Sequence, residues 1–277
     1  METLEYIEQF KAEALAGKSP LTKKGYAHAL KKFAEWLEGT GGNLAEFSRY
    51  DVQLYIQYLE TVAKREPTGI NRDFAAIKAL ARWQGREEVV QDVRKVKAPS
   101  ITEKAPEWLD DKTVRKIVAE TSRKANKRDY AIVLTLLGCG LRVSELVALD
   151  RDDVTISERK GSLVVRNGKG GKSRVVPIPA NVRHALSSYL EQRNDSQPAL
   201  FLSNFNKRIS VRSVQAMLAQ YGVHPHQLRH TYVKKLVDAG TPMATIMSLT
   251  GHSSADMVAW YSTPTEEEKQ ATVENIF

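Results

Sequence analysis

The sequence predicts a mainly α-helical protein of two domains, the second carrying a small antiparallel β-sheet. Three observations lead there. Residues 1–97 place apolar side chains at helical spacing between capping residues, with no strand-like alternation. The stretch VRKVKAPSITEKAPEWL, residues 93–109, then breaks the pattern with prolines, a serine and scattered lysines, the composition of a linker. Beyond it helices resume, but SLVVRN and RVVPI interrupt them as two short strands around the polar turn NGKGGKS. The expected organisation is a helical domain over 1–97, a linker over 98–106, a larger domain over 107–263 and a C-terminal tail over 264–277. A chain of 277 residues suffices for two ordinary domains, each with its own core.

The opening METLEYIEQFKAEALAGK is acidic and amphipathic, and lacks the basic flank and apolar block of a signal peptide. SPLTKKGYAHALKKFAEWLEG offers Ser19 as N-cap, Pro20 at the first helical position and Gly39 as terminator, with Tyr26, Leu30, Phe33 and Leu37 on one face. SRYDVQLYIQYLETVAK is capped by Ser48 and turns Val52, Tyr55, Ile56 and Leu59 inward. TGINRDFAAIKALARWQG aligns Ile70, Phe74, Ile77 and Ala81, leaving Arg72, Lys78 and Arg82 outside. In the second part, helices are expected in DDKTVRKIVAETS, NKRDYAIVLTLLG and RVSELVAL. After the two strands they continue in ANVRHALSSYLEQR, SVRSVQAMLAQYG, PHQLRHTYVKKLVDAG and TPMATIMSLTG.

The net charge is +8, and its placement is informative. Residues 1–97 carry 16 basic and 14 acidic side chains, residues 98–261 carry 24 and 15, and residues 262–277 carry 1 and 4. A basic middle points to a polyanion, most simply nucleic acid, although a merely basic surface fits the same count. The acidic tail suits docking on protein. The single cysteine, Cys139, excludes an internal disulfide framework and suits a reducing compartment. No apolar run has the length of a membrane span, so a cytoplasmic protein is expected.

Four stretches carry candidate chemistry. In GCGLRVSEL, residues 138–146, Gly138 and Gly140 permit a sharp turn into a helix that begins at Arg142. Glu145 follows on the same face and can aim the guanidinium at a phosphate; an ordinary helical ion pair would have the same spacing. In HPHQLRHTY, residues 224–232, His226 and Arg229 share a face near a helix N-terminus, where anions are welcome. His224, His226 and His230 also invite a metal reading, but Gln227 replaces the glutamate of the zinc-protease pattern and Arg229 would repel a cation. His230 is expected to be packed or hydrogen-bonded below the site. NGKGGKSR, residues 167–174, fails the spacing of a phosphate-binding loop. As a hairpin tip it can send Lys169 into a DNA groove, with Lys172 and Arg174 as rivals, or be a solvated turn.

The fourth stretch is GHSSADMVAWYSTP, residues 251–264. His252 and Tyr261 lie nine residues apart, which at roughly 100° per residue puts them on opposite faces of one straight helix. They can serve one site only if the backbone bends between them. Ser253 or Ser254 can cap a new helix, and Pro264 marks its end.

Taken together and in order, these stretches resemble the tyrosine recombinase (phage integrase) family in its compact Xer-like and Cre-like form, with transposon- or plasmid-encoded resolvases and integrases as a fainter likeness. The resemblance covers nearly the whole chain. It implies a SAM-like core-binding domain, then a catalytic domain with G-L-R-V-S-E-L, G-K-G, H-x-x-R-H, G-H and the tyrosine. It implies that Arg142 and Arg229 clamp the scissile phosphate and that Tyr261 forms a 3′-phosphotyrosyl link. Lys169 would protonate the leaving 5′ oxygen, His226 would accept or relay the tyrosine proton, His252 would hydrogen-bond the phosphate, and Glu145 would support Arg142. The tail would dock on a neighbouring subunit, and the chain has no room for the extra arm-binding domain of larger phage integrases.

The expected partners are double-stranded DNA with inverted half-sites and further copies of the chain, two on a site and four in synapsis. No cofactor or metal is expected: the phosphotyrosine conserves the bond energy, and no clustered carboxylates argue for a two-metal nuclease. Alternatives are a type IB topoisomerase-like relaxation and a catalytically silent DNA-binding module. Lys23, Lys24, Arg72, Lys78 and Arg82 are further candidate DNA contacts.

Overall fold

A computed structural model describes residues 3–98, 107–124, 126–166, 173–252, 255–262, 270 and 273–274. The chain divides into two compact units, Met1–Ser100 and Ile101–Phe277.

The first unit contains α1 (Thr3–Glu13), α2 (Pro20–Gly39), α3 (Arg49–Thr61) and α4 (Pro67–Trp83). Local chemistry sets their starts. Ser19 Oγ accepts from the Thr22 amide at 3.2 Å, with Pro20 supplying the fixed φ of a first turn. Ser48 and Asp51 cap α3 reciprocally. Gly39 is the last helical residue of α2, but the left-handed turn that follows belongs to Gly41, at φ 82°. The core is aromatic: Phe33 meets Phe47 edge-on at 5.3 Å and Tyr55 at 4.9 Å, with Phe10, Leu37, Phe74 and Leu80 buried around them. Tyr26 is half-buried at the rim of the same core.

The second unit contains α5 (Asp111–Arg123), α6 (Lys127–Cys139), α7 (Val143–Ala148), β1 (Val154–Ile156), β2 (Gly161–Val165) and β3 (Arg174–Pro177). It continues with α8 (Ala180–Glu191), α9 (Val211–Ala219), α10 (Pro225–Asp238), α11 (Met243–Thr250) and α12 (Asp256–Ala259). The sheet has order β1-β2-β3, antiparallel throughout, with Leu163 opposite both Val154 and Val176. The sequence reading expected two strands; β1 is a third. Its three residues, VTI, are too few to show alternation, and only pairing with β2 makes them a strand.

Helix α6 is apolar nearly all round because it is the centre of the unit, packed on α5, α8 and α10. It stops at Gly140, whose φ of 60° and contact with Tyr232 both exclude a side chain: a Cβ there would lie 2.1 Å from the Tyr232 ring. Cys139 is buried beside it, and burial pushes its thiol up to about 12, so it is an inert core residue. A smaller apolar cluster of Val233, Ile246, Val258 and Tyr261 anchors the last described turns onto α10 and α11. Among the described residues no helix is long and apolar enough to cross a membrane.

Candidate active site

The site is organised around one carboxylate. Glu145, in the first turn of α7, accepts from the Arg142 backbone N–H at 2.8 Å and from its guanidinium at 2.9 Å. Arg174, at the start of β3, adds a bidentate pair at 2.9 and 2.8 Å and donates from Nε to the Leu249 carbonyl at 2.9 Å. Arg229 stands 3.9 Å away on the other side. Burial alone would raise the Glu145 carboxyl, but the hydrogen bonds from Arg174 and the Arg142 backbone bring it down to about 2. Glu145 is therefore ionised and neutralises one of three guanidinium groups, which leaves an excess of positive charge around it.

Arg229, in the second turn of α10, is 4% exposed. It is aimed by three acceptors: the Gly140 carbonyl at 2.5 Å, the Thr250 carbonyl at 2.8 Å and His252 Nε2 at 3.2 Å. A guanidinium only donates, so His252 Nε2 accepts and the ring hydrogen sits on Nδ1. Nδ1 then donates to Thr250 Oγ1 at 2.9 Å, and that hydroxyl donates to the Ile246 carbonyl at 2.6 Å. The chain of donors fixes one tautomer. Burial, then the charges of Arg229 and Arg142, pull His252 down to about 4. Burial and Arg142 lower Arg229 itself to about 10, which leaves it charged at neutral pH.

The bend that the spacing of His252 and Tyr261 requires is present. Helix α11 ends in Gly251 at φ 68°, His252 follows outside any helix, and Tyr261 sits in a separate 3₁₀ turn, Trp260–Ser262, after α12. The two rings come within 6.3 Å, centroid to centroid. Gly251 serves twice: a Cβ there would also lie 3.0 Å from an Arg174 nitrogen. Tyr261 is 2% exposed, and burial raises its phenol to about 12 against the opposing pull of Arg229 and Arg142.

The ring that reaches the Tyr261 hydroxyl is that of His230, through Nδ1 at 2.5 Å. Sequence reasoning set His230 below the site. Periodicity puts it one turn beyond His226 on the same side of α10, with the rings 6.3 Å apart, and the Trp260–Ser262 turn brings Tyr261 round to meet it. Burial, then the nearby His226 and Arg229, bring His230 down to about 4, so it is neutral and able to accept. His226 is exposed at the mouth; partial desolvation, then His224, Arg229 and Arg142, lower its pKa.

The structure thus gathers Arg142, Glu145, Arg229, His252 and Tyr261, with His226 at the rim. It corrects one candidate. Arg174 is not a free DNA contact: its side chain is 10% exposed, with all three guanidinium nitrogens committed to Glu145 and Leu249. Inward alternation along β3 was the signal available. Lys169 and Lys172 lie outside the described residues, as does most of the 98–106 linker, the Ser253–Ser254 cap, and the 264–277 tail apart from residues 270 and 273–274. In the first unit Lys24, Arg72, Lys78 and Arg82 are exposed, and Lys23 is half-buried. Lys78 and Arg82 line an open concavity of about 700 Å³ together with Lys18, Lys95 and Trp83. Lys18 and Lys95 escape notice in the sequence because they lie outside the helices and meet only in the fold.

A turn that presents a buried tyrosine hydroxyl, an arginine pair and a helical first unit point to a class, and the comparisons show the family. Residues 107–268 match the phage integrase family, and residues 6–90 match its N-terminal SAM-like domain; the chain belongs to the phage integrase family. Within it the chain is similar to tyrosine recombinase XerA of Thermococcus kodakarensis, 33% identical over 278 residues covering 96% of this chain and 93% of the relative. It is 25% identical to the TnP I resolvase of Bacillus thuringiensis, over 90% of this chain and 91% of the relative. In fold it is similar to a Tn1549 transposon integrase fragment bound to circular intermediate DNA, with a TM-score of 0.73 at 17% identity, covering both chains fully. A XerH recombinase bound to its difH substrate gives 0.71 at 17% identity, over 92% of this chain and 79% of that one.

Proposed function

We propose that this chain recombines DNA site-specifically, cleaving one strand with Tyr261 and rejoining it to a partner strand. The observation that carries the reading is the buried Tyr261 hydroxyl set beside an arginine pocket whose charge exceeds its one carboxylate. Phosphoryl transfer spreads charge over the equatorial oxygens, and Arg142 and Arg229 supply fixed positive charge where it develops. Arg142 is the more accessible, at 24% side-chain exposure, and meets the phosphate first. An arriving phosphate competes with His252 Nε2 for Arg229, and its charge favours protonation of the imidazole, turning Nε2 into a donor to the same oxygens. Tyr261 attacks phosphorus, Lys169 protonates the leaving 5′ oxygen, and His226 passes protons between the pocket and solvent. A 5′ hydroxyl from the partner strand reverses the step. The basic face of α4 and the concavity beside it suit the DNA backbone. Two chains on inverted half-sites, four in synapsis, exchange the 264–277 tail, in the cytoplasm.

The test is a nicked suicide duplex carrying the site recovered by footprinting. Wild type should accumulate a covalent protein–DNA adduct that Tyr261→Phe abolishes while still binding the duplex. An adduct that persists in Tyr261→Phe would refute the assignment, and monomeric relaxation of random-sequence plasmid would favour a topoisomerase.

A further inference from the structure

We propose that His230 is the residue to which Tyr261 gives its proton. This rests on Tyr261 being the nucleophile. The phenol is buried with its hydroxyl 2.5 Å from His230 Nδ1, within reach of the Nδ1 lone pair in the tautomer that carries its hydrogen on Nε2. The ring is held for that contact. Trp260 packs on it edge-on at 6.1 Å and 84°, Tyr261 lies tilted at 5.6 Å, and the backbone that carries it is the second turn of α10. His226, the other candidate, lies on an exposed edge of α10 with its ring 6.3 Å from that of His230, and His252 has both nitrogens committed to Arg229 and Thr250. The titratable and charged groups facing His230 are His224, His226 and Arg229 on its own helix and Tyr261 and His252 on the segment across from it. None of these is a carboxylate, so the ring stays unprotonated until the substrate phosphate brings negative charge.

The step balances. The Tyr261 O–H bond breaks and its proton moves to Nδ1, giving an imidazolium. The freed oxygen pair forms the phosphorus–oxygen bond as the bond to the 5′ oxygen breaks, and that oxygen takes a proton from the general acid. On rejoining, the 5′ hydroxyl attacks and the imidazolium returns its proton to the departing phenolate. Before DNA arrives the same hydrogen bond keeps the nucleophile inside the fold.

The experiment is single-turnover cleavage of the suicide duplex by full-length protein between pH 6 and 9, comparing wild type with His230→Ala and His230→Gln. The glutamine amide can accept the tyrosine hydrogen bond and hold the pose but cannot take the proton. Both variants should bind the duplex as wild type does and cleave about 10²–10⁴-fold more slowly at pH 7. Their rates should climb about tenfold per pH unit, since only the phenolate fraction reacts, while wild type stays level. A duplex with a bridging 5′ sulfur, whose leaving thiolate needs no proton, should not restore them. Wild-type cleavage by His230→Gln, a deficit that ignores pH, or rescue by the 5′ sulfur would each overturn the role. If His230→Ala does not fold, His230→Gln decides alone. Absence of a Tyr261-dependent adduct from wild type would instead overturn the recombinase reading itself.

Discussion

Replacing Arg174 by methionine separates a buried organiser from a DNA contact. The substitution keeps much of the apolar stem and removes three donors: two to Glu145, at 2.9 and 2.8 Å, and one to the Leu249 carbonyl, at 2.9 Å. Both partners are enclosed, with side-chain exposures of 10% for Arg174 and 4% for Glu145. Breaking a buried pair by removing one member costs about 3–5 kcal/mol when the remaining charge is left uncompensated. Glu145 keeps Arg142, so the loss lies at the lower end, about 3 kcal/mol, and comes from the missing bidentate bonds and the unpaired Leu249 carbonyl. The carboxyl gives a second measure: its fall from 4.5 to about 2, led among the lowering causes by Arg174, corresponds to about 3 kcal/mol. A whole-chain melt would mix the two units, so the assay is native-state amide exchange of the α6 core, Ala131–Leu136, in wild type and variant. The expected loss of opening free energy is about 3 kcal/mol, with a higher Glu145 pKa and an unchanged salt dependence of DNA binding. A loss below about 1 kcal/mol, together with a salt slope reduced by about one, would show Arg174 on the phosphate backbone and refute the reasoning.

Two further outcomes follow from the same geometry. Gly140→Ala should destabilise the second unit by at least about 1–2 kcal/mol, the strain of a left-handed residue, and by more because the new methyl meets the Tyr232 ring at 2.1 Å; a neutral denaturation midpoint would contradict this. Acid should unfold the second unit in two stages. His230 and His252 are held at about 4 against 6.5, so between those values the unfolded chain takes up protons the fold refuses, and stability falls with pH by at most about 3 kcal/mol for each. Glu145 adds a further loss from 4.5 down to about 2, where the unfolded carboxyl protonates first. Stability measured from pH 7 to 2 should show both stages, and His252→Asn should flatten the upper one. A level profile from pH 6.5 to 4 in wild type would refute the first.

The helices were legible because their causes are local. Ser19, Ser48 and the apolar stripes of α2, α3 and α4 act over one or two turns, and so do the Arg142–Glu145 spacing and the left-handed end at Gly140. The strand β1 was not, since three residues become a strand only through Leu163 across the sheet. Arg174 reads as one more cation beside Lys169 and Lys172 until β3 points it inward. The sequence by itself therefore determined the helical class and the order of motifs, and singled out Arg142, Arg229 and Tyr261 as candidates that the fold brings close together. Only the tertiary structure decided which groups meet. Glu145 bonds Arg174, 29 residues away along the chain, and Tyr261 bonds His230, 31 residues before it. Such pairings depend on where a bend at Gly251 and a turn at Trp260–Ser262 carry the backbone, and periodicity within one helix holds no information about the position of another.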